Sequence, residues 1–297
     1  MMRIGIGLKS SAYTPEAYAY ASYLNKNGID VQLEHEKLLC LNNDLNIYFM
    51  GFRPSVIYKK KTAIEIHEYQ SLSTAPFPRI KDFLKVNINK KPKGRIFLNR
   101  VVKERLGFND DIPYIYRDMG VDKDFYQSSN KEKEFDIVYS GSIRGRQGLI
   151  PQLYRLASLG FKLLIIGDIE ISIVKLFSKF NNNVIFTGRV SREQLPDLYN
   201  ICRAGLNFTP DIYPFNLQTS TKTLEYLASG LRVITNKYYW SERFFLGQEL
   251  HRIILEEINI FFEIQNIETR FANIDSYEWD YILDKSNLIG FINGVSR

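Results

Sequence analysis

Residues 211–236 read DIYPFNLQTSTKTLEYLASGLRVITN and hold the most informative local pattern in the chain. Ser220 and Thr221 are good N-cap residues, and Gly230 suits the left-handed position that follows a helix. The pattern predicts an irregular loop, then a helix, then a short apolar strand. A polar loop that enters a helix favours an anion, because free backbone N–H groups and the positive end of the helix dipole face it.

Two charged residues of the predicted helix extend this site. Lys222 lies in the first turn, where a cation opposes the helix dipole unless an anion is bound. Glu225 follows three residues later and shares a helix face with Lys222. A carboxylate at that position can accept hydrogen bonds from two hydroxyls of a ribose. The alternative interpretation is an amphipathic surface helix without a ligand.

Outward from this stretch, the chain reads as two successive series of alternating strands and helices. The opening β-α-β pattern is typical of a Rossmann-like half, and the lack of G-x-G-x-x-G argues against a dinucleotide cofactor. The polar residues 122–135 then separate the two series and predict a domain boundary. In the first series, strands are predicted at 3–8, 31–33, 46–50, 55–58, 63–67, 95–98 and 114–116, and helices at 15–27, 79–86 and 100–106.

A glycine-rich basic loop, GSIRGRQG at 141–148, opens the second series. Its glycines let the backbone approach a phosphate, and the guanidinium groups of Arg144 and Arg146 can pair with phosphate oxygens bidentately. The loop therefore predicts a pyrophosphate site, and the alternative is a solvated loop with two basic residues. The remaining elements are predicted strands at 136–140, 162–166, 184–186 and 206–209, helices at 149–159 and 279–292, and a helix that starts from a capping box at 191–194.

His67 and Glu68 are the best catalytic candidates in the first series. They stand where the predicted strand 63–67 leads into the polar stretch 67–78, which we expect to be a loop. A histidine beside a glutamate is also a common structural pair. The sequence leaves both interpretations open.

Composition and the N-terminus favour a protein of the cytoplasm. The 297 residues are 45% hydrophobic, and no run approaches the ~20 apolar residues of a membrane-spanning helix. The N-terminus enters a strand pattern directly, without the apolar core of a signal peptide. Cys40 and Cys202 stand in apolar contexts that predict buried thiols. The three histidines show no spacing that is typical of a metal site.

The net charge of +6 is unevenly distributed along the chain. Lysine and arginine concentrate at 59–61 and 85–95 in the first half. Three interpretations compete: solvated loops, an anionic membrane surface or lipid pyrophosphate, and nucleic acid. The last is least favoured, because no nucleic-acid-binding motif is present.

The segment STKTLEYLASGLRVIT resembles the donor-site segment of GT-B glycosyltransferases of the family-4 type (glycosyl transferases group 1), including bacterial capsule and O-antigen enzymes. That segment contains a Lys, a Glu, a small residue, a Gly and an apolar strand. The matching positions here are Lys222, Glu225, Ala228, Gly230 and residues 233–234. A second segment, GRVSREQLPDLYN at 188–200, resembles the family's base-contacting region.

The resemblance implies an α/β protein with the GT-B fold, in which two Rossmann-like domains face a central cleft. Residues 1–122 would form the acceptor-side domain and residues 123–275 the nucleotide-sugar-binding domain. Residues 276–297 would form a C-terminal helix that packs back on the first domain. The acceptor would lie near residues 9–11 and His67–Glu68.

The resemblance also implies a role for each candidate site residue. His67, Glu68, Arg144 and Lys222 would be catalytic, the last two by stabilising charge on the leaving pyrophosphate together with Arg146. No metal or cofactor is then required, and the substrate is a nucleotide sugar such as a UDP- or GDP-sugar. The donor-binding residues would be Gly141, Ser142, Arg146, Gly188, Arg189, Val190, Asn216, Thr219, Ser220, Thr221 and Glu225.

The chain departs from the family pattern at one important position. Family-4 enzymes show two glutamates eight positions apart; Glu225 matches the second, and Leu217 stands in place of the first. The family suggests a retaining, metal-independent hexosyltransferase. Because Leu217 cannot stabilise charge, the stereochemistry stays open, and in an inverting reaction His67 or Glu68 would act as the general base.

The biological role implied by the resemblance is sugar transfer in bacterial surface polysaccharide synthesis, such as lipopolysaccharide or capsule. The acceptor would be a glycan or a polyprenyl-linked oligosaccharide, reached through peripheral contact of the basic first half with the inner membrane. One alternative is a catalytically inactive GT-B module that binds nucleotide or glycan in a synthesis complex, which Leu217 favours. A sugar-nucleotide epimerase is a further alternative, but its several acidic and histidine residues are not found.

Overall fold

The computed structural model describes residues 2–9, 14–58, 63–126, 131–144, 146–180, 182–246, 252–257 and 274–297. Four features of the sequence analysis fall partly outside these ranges. They are residues 10–11 of the expected acceptor side, the lysines at 59–61, residues 127–130 of the predicted domain boundary and Gly145 of the basic loop. The chain divides into two compact units, Met1–Gly120 with Ser276–Arg297, and Val121–Asp275. The sequence-based prediction placed these divisions at 122 and 275.

The described residues of the first unit form a sheet of six parallel strands in the order β2-β1-β3-β4-β5-β6. The strands are β1 (Arg3–Leu8), β2 (Asp30–His35), β3 (Leu45–Phe49), β4 (Ile64–Tyr69), β5 (Gly94–Phe97) and β6 (Tyr114–Tyr116). Its first helices are α1 (Pro15–Lys26), α2 (Pro78–Ile88) and α3 (Arg100–Leu106). The ends of α3 follow from its sequence, because the side chain of Asn99 accepts a hydrogen bond from the backbone N–H of Val102 (2.9 Å) and Gly107 adopts a left-handed conformation.

The second unit has a sheet of six parallel strands in the order β12-β11-β10-β7-β8-β9. The strands are β7 (Phe135–Ser140), β8 (Leu163–Ile166), β9 (Val184–Gly188), β10 (Cys202–Asn207), β11 (Arg232–Thr235) and β12 (Arg252–Ile254). The helices are α4 (Leu149–Ser158), α5 (Ile171–Leu176), α6 (Leu195–Asn200), α7 (Thr221–Ala228) and α8 (Tyr239–Phe245). In its core, the buried side chains of α4 pack on β7, β8 and β10.

The C-terminal residues belong to the first unit. They form α9 (Trp279–Lys285) and α10 (Leu288–Ser296), which bury Trp279, Leu283 and Ile292 in one cluster with α1 and the first sheet. The prediction of a single helix over 279–292 is therefore wrong. Asn287 between the two helices is left-handed, with φ of 52°, a conformation that asparagine tolerates better than most residues.

One predicted strand is also absent from the described part of the first unit. Residues 55–58 form a turn, in which the N–H of Ile57 donates to the carbonyl of Pro54 at 3.0 Å. The Val56 and Ile57 side chains are exposed, so their apolar character does not mark a buried strand. Among the residues that the structure describes, no helix has the length and apolar character needed to cross a bilayer.

Candidate functional site

The strand order of the second sheet predicts where a ligand binds. The chain leaves β7 toward β8 on one side, and β10, the other neighbour of β7, continues to β11 on the opposite side. A crevice opens outside the carboxyl ends of two such strands, and open α/β sheets bind ligands there. In this unit the crevice lies beyond Ser140 and Asn207, the last residues of β7 and β10.

Three strands of the second sheet end in glycines with left-handed or otherwise positive φ. These are Gly141 (133°), Gly167 (143°) and Gly188 (72°), which follow or end β7, β8 and β9. The N–H of Gly141 donates to Ile166 and that of Gly167 donates to Gly188, each at 2.9 Å. A Cβ on Gly167 would lie 2.2 Å from the carbonyl oxygen of Gly141. The turns therefore pack backbone against backbone and leave no side chain at the strand ends.

The start of α7 is fixed to the end of β10, as the sequence of the opening segment suggests. The Oγ of Ser220 accepts a hydrogen bond from the N–H of Thr223 (3.3 Å) and donates to the Oδ1 of Asn207 (3.0 Å). Asn207 in turn donates from Nδ2 to the hydroxyl of Tyr238 at 2.9 Å. The predicted N-cap is thus confirmed, and the N-terminus of α7 opens at the crevice where an anion is favoured.

Lys222 and Glu225 meet on α7, as their spacing predicts. The Nζ of Lys222 donates to the Oε2 of Glu225 at 2.9 Å. The Glu225 side chain is 2% exposed, whereas that of Lys222 is 28% exposed. A Cβ on Gly141 would lie 3.9 Å from the Cε of Lys222, so the lysine stands beside the turn after β7. Gly141 after β7 is therefore a neighbour of Lys222, which pairs with Glu225, although about 80 residues of sequence separate β7 from α7.

A buried hydroxyl cluster that the sequence analysis missed supports Glu225. The hydroxyl of Tyr199 donates to the Oε2 of Glu225 at 3.4 Å and lies 2.5 Å from the Oγ of Ser140. The hydroxyl of Tyr226 accepts from the N–H of Ser140 at 3.0 Å. Burial, together with the Glu225 charge, raises the pKa of Tyr199 well above its ordinary value. The Tyr199 hydroxyl therefore keeps its proton at neutral pH and donates to the Glu225 carboxylate.

One arginine of the basic loop contacts the residue that follows β10. The Nη1 of Arg146 donates to the carbonyl of Phe208, just after β10, at 3.4 Å. Arg144 is exposed, and its carbonyl accepts from the Oγ of Ser142 at 3.2 Å. The Tyr139 hydroxyl donates to the carbonyl of Ser142 at 2.8 Å, which holds the loop against the end of β7. Gly141, Ser142 and Arg146 thus lie at the switch point.

The remaining donor-site candidates lie in two places. Gly188, Arg189 and Val190 are at the end of β9, on the outer edge of the sheet, where Arg189 pairs with Asp168 at 3.0 Å and both side chains are largely exposed. Three further candidates belong to the segment that enters α7. They are Asn216, which donates from Nδ2 to the Oδ1 of Asp211 at 2.9 Å, and the half-buried Thr219 and Thr221.

His67 and Glu68 are placed differently from the prediction. Both lie inside β4, which continues to Tyr69, so the expectation that a loop starts at His67 is wrong. Both side chains are fully buried in the first unit. The Nε2 of His67 lies 3.0 Å from the Oε2 of Glu65 on one face of the strand. Glu68, on the other face, pairs with Arg117 and accepts from the Tyr20 hydroxyl at 2.7 Å.

The protonation of this buried group follows from its partners. Burial lowers the pKa of His67 from its ordinary value of 6.5, against the raising effect of Glu65. Burial alone would raise the pKa of Glu65, but hydrogen bonds from His67, Arg53 and Lys90 hold it well below its ordinary range. The geometry is that of a neutral histidine packed beside an ionised glutamate, which is the structural interpretation of this pair. Within the described ranges, no group of three or more His, Cys, Asp or Glu side chains is placed to hold a metal ion.

Part of the second unit matches a known protein family. Residues 146–263 match the family described as Glycosyl transferase-like, and this range contains β8 to β12 and the whole of α7. No curated protein sequence matches the chain.

Three solved structures are similar over nearly all of the chain. AviGT4, a glycosyltransferase involved in avilamycin A biosynthesis, is 14% identical, with a TM-score of 0.65 over 100% of this chain and 98% of that one. A glycosyltransferase from Rickettsia africae is 14% identical, with a TM-score of 0.66 over 98% of both chains. Anabaena HepE in complex with UDP and glucose is 12% identical, with a TM-score of 0.64 over 100% of this chain and 98% of that one. The chain therefore has the two-sheet α/β fold of GT-B glycosyltransferases, as its sequence predicts, and residues 146–263 match a glycosyl transferase-like domain.

Proposed function

We propose that the protein is a glycosyltransferase that moves a sugar from a nucleotide-sugar donor to a glycan or lipid-linked acceptor. The observation that carries this proposal is the meeting of Gly141, Lys222 and Glu225 at the switch point of the second sheet. A nucleotide sugar needs a cation and free backbone N–H groups for its pyrophosphate and an acceptor for its ribose hydroxyls. The family match over 146–263 and the structure of HepE with UDP and glucose support this assignment.

Each group has a distinct role in the proposed reaction. Negative charge grows on the pyrophosphate as the anomeric C–O bond breaks, and Lys222, Arg144, Arg146 and the first N–H groups of α7 stabilise it. Glu225 accepts the ribose hydroxyls, with Tyr199 and Lys222 holding the carboxylate in place. The residues 188–190 hold the base. Asn216 and Thr219 belong to the segment that enters α7 and contribute to donor binding there.

The proposed transfer needs no metal ion, because fixed cations of the protein stabilise the leaving group. We also propose that the configuration at the anomeric carbon is retained. The burial of both His67 and Glu68 supports retention, since an inverting reaction requires a general base that reaches the acceptor hydroxyl. A nuclear magnetic resonance assay of the product anomer in the presence of a chelator tests both statements.

The biological setting is part of the proposal. Bacterial surface polysaccharides such as lipopolysaccharide and capsule are assembled from polyprenyl-linked intermediates, and the excess positive charge of the first half suits such an acceptor. The protein would then work in the cytoplasm with peripheral contact to the inner membrane. No nucleic acid is part of this function.

Nucleotide binding tests the donor site directly. UDP, GDP, CMP, ADP and dTDP are added separately to the purified protein and the thermal midpoint is followed. A ligand at about 100 times its Kd adds about 2.7 kcal/mol of stability, which raises the midpoint by several degrees. We expect one nucleotide to stabilise the protein and to lose its effect in the variants Glu225→Gln and Arg144→Ala.

Arg203→Ala is the matched control for these variants. Arg203 pairs with Asp136 at the opposite, amino-terminal edge of the second sheet, so its loss leaves the nucleotide effect intact. If no nucleotide shifts the midpoint of the unmodified protein, the donor-site assignment is wrong.

A catalytically inactive nucleotide- or glycan-binding module is the second candidate, and Leu217 favours it. Leu217 occupies a short 3-10 turn before α7, at the position where family-4 enzymes carry their first glutamate. An inactive module that keeps the nucleotide site also binds nucleotide, and only the enzyme predicts transfer. Release of the free nucleotide from its sugar conjugate in the presence of acceptor separates them.

A further inference from the structure

Two adjoining segments of the first unit expose large apolar side chains. One is the loop after β3 and the other is the start and outer side of α2. The six side chains, each more than half exposed, are Phe52, Val56, Ile57, Phe77, Ile80 and Phe83. We call them the apolar surface. Isolated apolar residues are ordinary on a protein surface, whereas a group of this size marks a site of interaction.

Backbone hydrogen bonds hold the two segments side by side. The N–H of Ser55 donates to the carbonyl of Ile88 at 3.0 Å, and the N–H of Lys90 donates to the carbonyl of Arg53 at 2.9 Å. The Oδ1 of Asn89 also accepts from the N–H of Arg53 at 2.8 Å. The loop is therefore anchored to the C-terminal end of α2, so both segments are fixed parts of the first unit.

The polarity of α2 is the reverse of that of an ordinary surface helix. Its one buried residue is Asp82, whose Oδ1 accepts from the N–H of Ser73 at 2.9 Å and lies 3.7 Å from the Nζ of Lys85. Ile80 and Phe83 point to solvent. An amphipathic helix normally buries its apolar stripe and exposes its charges. The inward charged pair fixes α2 to the unit and leaves its apolar side for another partner.

The sequence around α2 carries an excess of positive charge. Between Glu68 and Glu104 the sequence contains six lysines and three arginines, and Asp82 is the only acidic residue. Arg79, Lys91 and Lys93 are exposed. A partner that complements this surface must accept bulky apolar groups and present negative charge. An anionic bilayer does both, since Phe and Ile enter the boundary between headgroups and acyl chains while Lys and Arg pair with lipid phosphates.

We infer that the apolar surface docks on an anionic phospholipid bilayer, with Ile80 and Phe83 inserted and Arg79, Lys91 and Lys93 at the phosphates. This inference rests on the membrane contact included in the proposed function and assigns that contact to particular residues. Nucleic acid fits the charge but offers no apolar phase for the exposed side chains. A second copy of the chain fits the apolar groups but brings the same positive charge.

Vesicle flotation of the full chain tests the inference. The probes are vesicles of phosphatidylcholine alone and of phosphatidylcholine with phosphatidylglycerol, at low and at high salt. We expect binding only when phosphatidylglycerol is present, and weaker binding at high salt. The variant Ile80→Ser/Phe83→Ser should bind at least about tenfold more weakly, and Lys91→Glu/Lys93→Glu at least about fivefold per residue.

The matched control lies on α5 of the second unit. Ile171 and Lys175 are both exposed there, so Ile171→Ser/Lys175→Glu makes the same kinds of chemical change at residues outside the apolar surface. The control should bind vesicles as the unmodified protein does. The thermal midpoint of each variant shows whether it is folded. For Lys91→Glu/Lys93→Glu the midpoint is measured with added salt.

Three outcomes would overturn the inference. They are equal binding to both kinds of vesicle, unchanged binding by both Ile80→Ser/Phe83→Ser and Lys91→Glu/Lys93→Glu, and no binding to any vesicle. A dimer that the Ile80→Ser/Phe83→Ser variant dissociates would assign the surface to a second copy instead. Nucleotide stabilisation, measured without lipid, distinguishes the failure of this inference from that of the proposed function. The surface variants should keep it, whereas Glu225→Gln should lose it and still bind vesicles.

Discussion

The two sheets of this protein carry their polar residues in different ways. In the first sheet, Glu65, His67 and Glu68 lie inside β4, and neighbouring side chains pair with both glutamates. In the second sheet, the polar groups of the candidate site lie at the carboxyl ends of the strands, beside glycine turns and the start of α7. We therefore expect the buried charges of β4 to stabilise the fold, and Lys222 and Glu225, beside the turn after β7, to bind a ligand. The predictions below test this difference.

The largest expected effect is on stability, from removal of Glu68. The variant Glu68→Ala leaves the fully buried guanidinium of Arg117 without its carboxylate, which costs about 3–5 kcal/mol. Urea unfolding followed by the fluorescence of Trp279 measures this loss, because Trp279 lies 5.3 Å from the Arg117 guanidinium. The substitution Trp240→Phe, made in all samples, removes the second tryptophan of the chain.

Glu34→Ala is the control for this measurement, because Glu34 is exposed on β2 and its loss should change the free energy of unfolding by no more than about 0.5 kcal/mol. If Glu68→Ala instead unfolds like the unmodified protein and only sugar transfer is lost, Glu68 is a catalytic group and the comparison fails.

The next effect concerns the glycine turns of the second sheet. Gly167→Ala places a Cβ 2.2 Å from the Gly141 carbonyl oxygen, and neither backbone has room to move without displacing the turn after β7. We expect a loss of about 1–3 kcal/mol in stability and a larger loss of nucleotide binding. Thermal midpoints with and without nucleotide measure both.

Gly160→Ala controls for the backbone conformation alone. Gly160 also has positive φ (91°), but a Cβ there would meet no atom within 4 Å. It should cost about 1–2 kcal/mol and leave nucleotide binding unchanged. Equal effects of the two substitutions on nucleotide binding would contradict the role of the packed turns.

The pH dependence of the free energy of unfolding should show whether His67 is a neutral core residue or an accessible acid–base group. Burial lowers the pKa of His67 below 6.5 in the folded state, whereas the unfolded chain takes up a proton near 6.5. The unfolded state therefore binds more protons as the pH falls below 6.5, and stability decreases by at most about 1.4 kcal/mol per pH unit from this group. His67→Gln should remove this part of the slope.

Urea unfolding at several pH values between about 5 and 7.5 checks this expectation with Trp279 as the reporter. A slope of opposite sign would show that the fold stabilises the imidazolium, as expected of an accessible acid–base group.

The smallest effect is that of the hydroxyl on Tyr199. Tyr199→Phe removes one hydrogen bond to Glu225 and should weaken nucleotide binding by about 1 kcal/mol, which is roughly fivefold. Calorimetric titration measures it. Tyr154→Phe, in an aromatic cluster of the same unit, should bind nucleotide normally. A Tyr199 variant with unchanged affinity would show that Glu225 does not need this partner.

Local signals in the sequence predicted most elements of the fold. The first turns of α3 and α7 are stabilised by Asn99 and Ser220, which accept hydrogen bonds from residues three positions later. Contacts of such short range can be predicted from the local sequence. The errors lie where tertiary contacts decide the structure. Residues 55–58 have the composition of a strand but bond to the end of α2, and β4 runs past His67 because its neighbours β3 and β5 extend alongside it.

The candidate site was predictable to a similar extent. The contact between Lys222 and Glu225 follows from their spacing on one helix, and the 2.9 Å distance confirms it. The support from Tyr199 and Ser140 was not predictable, because these residues lie 26 and 85 positions from Glu225. The order of the strands brings Tyr199 to Glu225 and Ser140 to Tyr199. The burial of Glu68 was hidden for the same reason, since its partner Arg117 follows a different strand.

Hydrogen exchange with and without UDP or GDP tests the central claim most directly, because it locates the nucleotide without any substitution. The first N–H groups of a helix lack intrahelical partners and exchange rapidly unless a ligand covers them. We expect the nucleotide to slow exchange in the turn after β7 and at the start of α7, and to leave exchange in β4 of the first unit unchanged. Slower exchange in β4 without any change at residues 141–142 and 220–222 would contradict this expectation.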